Sequence, residues 1–265
     1  MALNALRGAV GFLSRVPVGR DAAAWDAFRS TPTAFPLAGY LLGLALALPF
    51  VLPVAPPVAA FAFLAWMYVV TGVPHADAVA DLGDAAVVHG DPAERRAVMT
   101  DTTVGVGAVL ALGLVLAGLW SAAFRLAALP ARPPSLAAAG VRSLGALPIG
   151  STSLVVAAEV GAKLAMAEVA CLGSASHDGL GSAVSDGHGP RSLVLPALVA
   201  LPVAATTWPS PAAAVALLAA ALTGLGVLWW ATRRLGGTSG DVIGGANELA
   251  RVAGLLAGVI AWTHL

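Results

Sequence analysis

Apolar residues run along this chain in blocks about as long as a bilayer is thick, and polar residues collect between the blocks. A helix needs roughly 20 mainly apolar residues to cross the hydrocarbon core. Runs of that kind lie at 34–53, 57–74, 104–124, 143–172, 192–208, 211–230 and 250–265. The pattern predicts an all-α, polytopic integral membrane protein, a helical bundle of about seven transmembrane helices forming a single domain over 1–265. The fourth run is overlong and would tilt, kink near Pro148 or begin late, and the fifth and seventh are short.

Composition strengthens this reading. Only 11% of residues are charged and 58% are hydrophobic, with a mean hydropathy of +0.86. Soluble domains carry about 25% charged residues, so a water-soluble globule could not coat itself with so few. Fourteen basic and fourteen acidic residues balance to zero, and no basic stripe marks a nucleic-acid partner. The single cysteine, Cys171, excludes an intrachain disulfide and a multi-cysteine metal cage. The first thirty residues hold Arg7, Arg15, Arg20 and Arg29 without a long apolar core, so no cleavable signal peptide is expected.

Seven spans sort the remaining sequence onto two sides. One side receives 1–33, 75–103, 173–191 and 231–249, with Arg251 at its edge, and holds ten arginines. The other holds three, Arg125, Arg132 and Arg142. The positive-inside rule makes the first side cytoplasmic. His75, Asp77, Asp81, Asp84, Asp101, Asp241, Asn247 and Glu248 all fall there, so any chemistry is expected on the cytoplasmic face of the cell membrane, together with the N-terminus.

Asp77, Asp81 and Asp84 follow one another at i, i+4 and i+7. At ~100° per residue they occupy a sector of ~60° on one helix face. Carboxylates stacked this way repel one another unless a cation lies among them. Magnesium, a hard ion held by one or two carboxylates and by phosphate oxygens, is the expected cofactor. A solvated acidic face is the plain alternative. Against it, the segment is otherwise Ala, Val and Leu and directly follows an apolar run.

Gly90 and Pro92 end that helix. Beyond them, Arg95 and Arg96 suit bidentate contact with phosphate oxygens, or simple anchoring at the bilayer surface. His75 would orient a carboxylate or touch substrate. Five glycines within 236–245, with Thr238, Ser239 and Asp241 among them and Asn247 and Glu248 following, suggest a phosphate cradle running into a helix N-terminus. Glu159 and Lys163, at i and i+4 inside the fourth run, are either a neutralising structural pair or a substrate contact, because ionisable groups in hydrocarbon face a partner or a cavity.

Four separate stretches, in order, resemble the cobalamin synthase family. Residues 75–105, with His75, Asp77, Asp81, Asp84, Arg95, Arg96, Met99, Asp101 and Gly105, are similar to its H-L-D-G-L-A-D-x-x-D and R-R-x-x-I-M-x-D-S-x-x-G patterns. Gly236, Gly237, Gly240, Asp241, Gly244 and Ala246 to Leu249 resemble its G-G-x-x-G-D-x-x-G-A-x-N-E-L. Phe12 to Pro17 and Phe35 to Gly39 resemble F-L-T-R-x-P and F-P-L-V-G. Ala76, Ala78 and the Val87-Val88-His89 stretch depart from the pattern, and Lys163 stands where arginine is common. Lysine cannot reproduce a bidentate fork.

The resemblance implies a membrane adenosylcobinamide-GDP ribazoletransferase. Adenosylcobinamide-GDP and α-ribazole, or α-ribazole 5′-phosphate, would give adenosylcobalamin or its phosphate with release of GMP. Asp77, Asp81 and Asp84 would hold magnesium, Arg95 and Arg96 the phosphate oxygens, and Asp101 or Asp241 would accept the hydroxyl proton. His75, Gly236, Gly237, Ser239, Asn247, Glu248, Glu159 and Lys163 would line the substrate site. A homo-oligomer or a biosynthetic membrane assembly is compatible with this role. A CDP-alcohol phosphotransferase is the enzymatic rival, but no arginine stands where its D-G-x-x-A-R signature requires one. A small-molecule transporter is the other, and it would place ionisable residues midway through several spans.

Overall fold

The structure is a computed structural model, which describes residues 2–19, 21–129 and 148–265. Among these residues it contains helices and no strands, with one isolated parallel bridge between Ala175 and Thr238. The helices are α1 (Ala2–Leu13), α2 (Ala22–Arg29), α3 (Ala34–Leu46), α4 (Pro56–Thr71), α5 (Pro74–Val87), α6 (Pro92–Met99), α7 (Val106–Ala127), α8 (Ile149–Leu172), α9 (Leu180–Ser185), α10 (Val194–Ala200), α11 (Ala212–Arg234) and α12 (Gly240–His264). Arg20, Arg132, Arg142 and the first residues of the expected fourth span lie outside the described residues.

The centre of the bundle is α8. From Leu154 through Cys171 every residue is buried, because α3, α11 and α12 pack around it. A helix covered on every side is a core element. By contrast, α7 turns Val109, Leu110 and Leu114 outward, and α11 does the same with Leu218, Leu222 and Trp229. Such apolar outer faces are what hydrocarbon demands, and the chain is a multi-pass membrane protein.

Among the described residues, fewer segments than the seven expected are by themselves long and apolar enough to cross. Four helical segments are long and apolar enough to cross, Ala34–Val51, Val106–Ala127, Ala212–Arg234 and Gly240–His264, and a fifth if α4 and α5 count as one broken span. The stretch at 192–208 forms short apolar helical pieces ending at Ala205, interrupted by Pro196 and Pro202, whose missing N–H groups and fixed φ break regular turns. The last span is longer than expected, because α12 already begins at Gly240.

The break between α4 and α5 positions the site. Gly72 ends α4 at φ +75°, a conformation that strains other residues, and Pro74 starts α5 with its preset φ. The two helices therefore meet at 98°. We read α5, with its three aspartates, as lying outside the spans. It packs against the opening turns of α12 and the beginning of α7.

Candidate active site

Two glycines let α5 and α12 come together. A Cβ on Gly244 would stand 3.0 Å from Ala78 Cβ and 3.2 Å from His75 Cδ2, and one on Gly245 would stand 2.2 Å from Leu82 Cδ1. Asp241 lies one turn before them on α12, so the close crossing brings it to the acidic face of α5. Asp77 is exposed, while Asp81 and Asp241 are half-buried. Burial, and then the negative charges of Asp241, Asp77 and Asp84 in that order, push the Asp81 carboxyl up to about 6. Asp241 joins the α5 acids from a segment more than 150 residues away in sequence.

Asp84 has a different setting. It is buried, and its Oδ2 accepts the Gly105 N–H at 2.8 Å while Oδ1 accepts the Ala108 N–H at 2.9 Å. Those are among the first N–H groups of α7, which have no partner within the helix. Asp84 thus caps α7 from another helix, with its charge set against the positive end of the helix dipole. Among the described residues no three His, Cys, Asp or Glu side chains form a metal cage by themselves. The stripe expected from spacing is divided: Asp77 and Asp81 face Asp241, and Asp84 is drawn to α7.

The arginines expected at phosphate are also engaged with backbone. Arg95 is buried, and its guanidinium donates to the carbonyls of Ala85 at 2.6 Å and Gly90 at 3.3 Å, closing the C-terminal end of α5. Arg96 donates to the Leu235 carbonyl just after α11. Each satisfies carbonyls that a helix end leaves open. Asp101 is exposed and accepts the Thr103 N–H at 3.0 Å, a local turn, so its placement gives no support to a general-base role.

The glycine-rich stretch is mostly helix. Only Gly236 and Gly237 lie in the connection between α11 and α12, both at positive φ, and it is pinned to the 174–176 segment by hydrogen bonds from Thr238 N–H to Ser174 and from Ser176 N–H to Thr238. Ser239 caps α12, its Oγ accepting the Val242 N–H at 3.3 Å, and lies 3.4 Å from Asp241 Oδ2. The expected open cradle over 236–245 is therefore a tight turn followed by a helix that packs on α5.

Beneath the acids runs a buried polar network that sequence reasoning saw only in part. Lys163 Nζ donates to Glu159 Oε2 at 2.9 Å and to Asn247 Oδ1 at 2.7 Å. Asn247 Nδ2 lies 3.2 Å from Glu248 Oε1 and 3.1 Å from His75 Nδ1. Arg251 closes the network by donating to both Glu159 and Glu248. Two cations and two carboxylates balance, so Glu159 and Lys163 form part of a neutral bolt joining α8 to α12. Burial pushes the His75 pKa down to about 4, which leaves the ring neutral. The missed residue is Arg251; its i, i+3 spacing from Glu248 was the signal available.

A cavity of about 470 Å³ opens beside the acids. Phe12, Trp25 and Phe35 contribute aromatic surface, Leu180 and Val184 of α9 add aliphatic surface, and His75 and Asp241 form a polar end. Arg7 and Asp21, paired with each other, stand at the lining contributed by α1 and α2.

An acidic pair on a helix folded back from its span, facing a third acid across a glycine contact and flanked by a ligand-sized cavity, defines a membrane-embedded helical enzyme scaffold. The family model of cobalamin-5-phosphate synthase matches residues 5–259, and the chain belongs to that family. It is 51% identical to the adenosylcobinamide-GDP ribazoletransferase of Halorubrum lacusprofundi, with all of both chains covered. The protein of the same name from Haloquadratum walsbyi is 43% identical over 99% of each chain, and that of Methanococcoides burtonii is 31% identical over 98% of this chain and 93% of its own. No solved structure matches the chain.

Proposed function

We propose that this protein is an adenosylcobinamide-GDP ribazoletransferase that joins the cobinamide phosphate to α-ribazole or its 5′-phosphate and releases GMP. The observation that carries the reading is the meeting of Asp77, Asp81 and Asp241 beside the cavity, in a chain of the cobalamin-5-phosphate synthase family. Family membership sets aside the CDP-alcohol phosphotransferase and transporter alternatives.

The donor set suits magnesium. The negative charges of Asp241 and Asp77 act on the Asp81 carboxyl, a repulsion of the kind a dication relieves. Magnesium keeps several waters and takes substrate phosphates as ligands, so one or two carboxylates suffice to hold it. Asp77 and Asp81 would hold it, with Asp241 beside them free of the ion. Bound there, the ion supplies neutralisation of pyrophosphate charge.

The remaining chemistry falls to the chain. A free ribose hydroxyl oxygen of the acceptor, other than the 5′-oxygen that bears the phosphate in the phosphorylated acceptor, forms a bond to the phosphorus on the cobinamide side, and the bridging P–O bond breaks with its electron pair leaving on GMP. The hydroxyl proton passes to a carboxylate, and Asp241 is the better placed of the two expected bases, because it borders the cavity while Asp101 is exposed in a turn. Asp84 positions α5 by holding α7, and Arg95 and Arg96 position the ends of α5 and α11. The excess of arginines in the loops on the side of this site supports a position at the cytoplasmic face of the cell membrane.

The test is GMP release by purified protein given adenosylcobinamide-GDP and α-ribazole, with magnesium and after chelation. GMP and cobalamin formed together only with the divalent ion support the reading; no reaction with either acceptor form overturns it.

A further inference from the structure

We infer that the cavity between α1, α2, α9 and the first turn of α12 receives the aromatic base of the acceptor nucleoside, with its ribose directed at His75 and Asp241. This assignment rests on the transferase reading and names which substrate occupies which part of the site. Size is the first argument. At about 470 Å³ the space is near the small end of ligand cavities, roughly 300–1,000 Å³, and suits a nucleoside with a fused two-ring base. A corrinoid macrocycle with its side chains cannot enter it, so the donor must reach the acids from outside.

The lining decides between the two bases available, the benzimidazole of the acceptor and the guanine of the donor. Phe12, Trp25 and Phe35 offer flat aromatic surface, and Leu180, Val184 and Ile243 offer aliphatic surface. Guanine carries a carbonyl and amino edge that loses hydrogen bonds in such surroundings. Arg7 pairs with Asp21 and keeps a buried Nε without a partner, while the Thr71 hydroxyl donates to the Met67 carbonyl at 2.8 Å, so the wall offers few of the hydrogen bonds that guanine's edge needs. A base whose outer edge is hydrocarbon meets no such penalty.

The polar end fixes the orientation. Asn247 Nδ2 lies 3.1 Å from His75 Nδ1, and an amide N–H donating there makes that ring nitrogen the acceptor and puts the proton on Nε2. His75 then presents a donor to a ribose oxygen. Asp241, at the same end, adjoins Asp77 and Asp81. A nucleoside seated base-first therefore leads its free ribose hydroxyls to the acids, where the pyrophosphate would lie.

Two substitutions that narrow the space test this, Leu180→Trp at the exposed side of α9 and Val184→Phe inside. Overfilling a packed site costs about 1–3 kcal/mol, so the KM for α-ribazole should rise about tenfold or more while the KM for adenosylcobinamide-GDP stays within about twofold. Calorimetric binding of α-ribazole to Asp81→Asn protein, without donor or magnesium, should persist and disappear when Leu180→Trp is added. If the KM change falls on the donor instead, or on neither substrate in both variants, the assignment is overturned. Nucleoside binding by the wild type without any GMP release would overturn the transferase reading and leave the cavity assignment standing.

Discussion

Replacing Asp84 by Asn separates a helix cap from a metal ligand. Both carboxylate oxygens of Asp84 accept N–H groups at the start of α7, at 2.8 and 2.9 Å, in a buried setting. Asparagine keeps one oxygen and turns an NH2 group toward the other N–H, so one charge-assisted hydrogen bond is lost and two donors face each other. Such bonds contribute about 1.5–3 kcal/mol, and about 2 kcal/mol is a fair expectation for the substitution. For a chain of this size each kcal/mol moves the melting point by about 2–4 °C, giving a fall of about 4–8 °C. The measurement is thermal unfolding of purified protein in detergent, paired with a magnesium titration of GMP release at a temperature where both forms are folded. Unchanged melting combined with a large rise in the magnesium requirement would show that Asp84 holds the ion, and the capping argument would be wrong.

Asp81→Asn should abolish GMP release while melting is held or raised, because it removes a carboxylate crowded by three others; wild-type turnover in the purified variant would take Asp81 out of the site. The raised Asp81 pKa makes magnesium activation proton-sensitive: the proton is held below about pH 6, so the magnesium concentration for half activity should climb as pH falls through that value, by at most about tenfold per unit. A magnesium requirement flat from about pH 7 to about pH 5 would contradict that. Arg251→Met leaves two buried carboxylates with one cation between them and should cost about 3–5 kcal/mol, read as loss of the folded peak in detergent size-exclusion chromatography. A monodisperse Arg251→Met protein that melts like the wild type would show that the network carries little stability.

The apolar blocks made the helical membrane class plain, because hydrocarbon leaves few alternatives for backbone polar groups. A hydropathy run does not tell an unbroken helix from a proline-broken piece, as the stretch at 192–208 shows. Spacing gathered Asp77, Asp81 and Asp84 onto one stripe, but the path of α7 decided that Asp84 turns away. Nothing local to Arg95 says that the end of α5 lies within reach of its guanidinium. Gly244 and Gly245 read equally as loop or helix until α5 is seen resting on them. Asp241 was named from its motif, yet its partnership with Asp81 is a tertiary fact.

The bolt between α8 and α12 has a consequence for biogenesis. Glu159 and Lys163 reach the bilayer when α8 is made, but Arg251, the hydrogen-bond donor to Glu159, follows 92 positions later. Until α12 emerges, α8 carries Glu159 unmatched by its full complement of donors, in a setting that penalises them. The final helix thus acts as the latch on a nascent chain, and a ribosome that stops short of it leaves a bundle whose middle cannot settle.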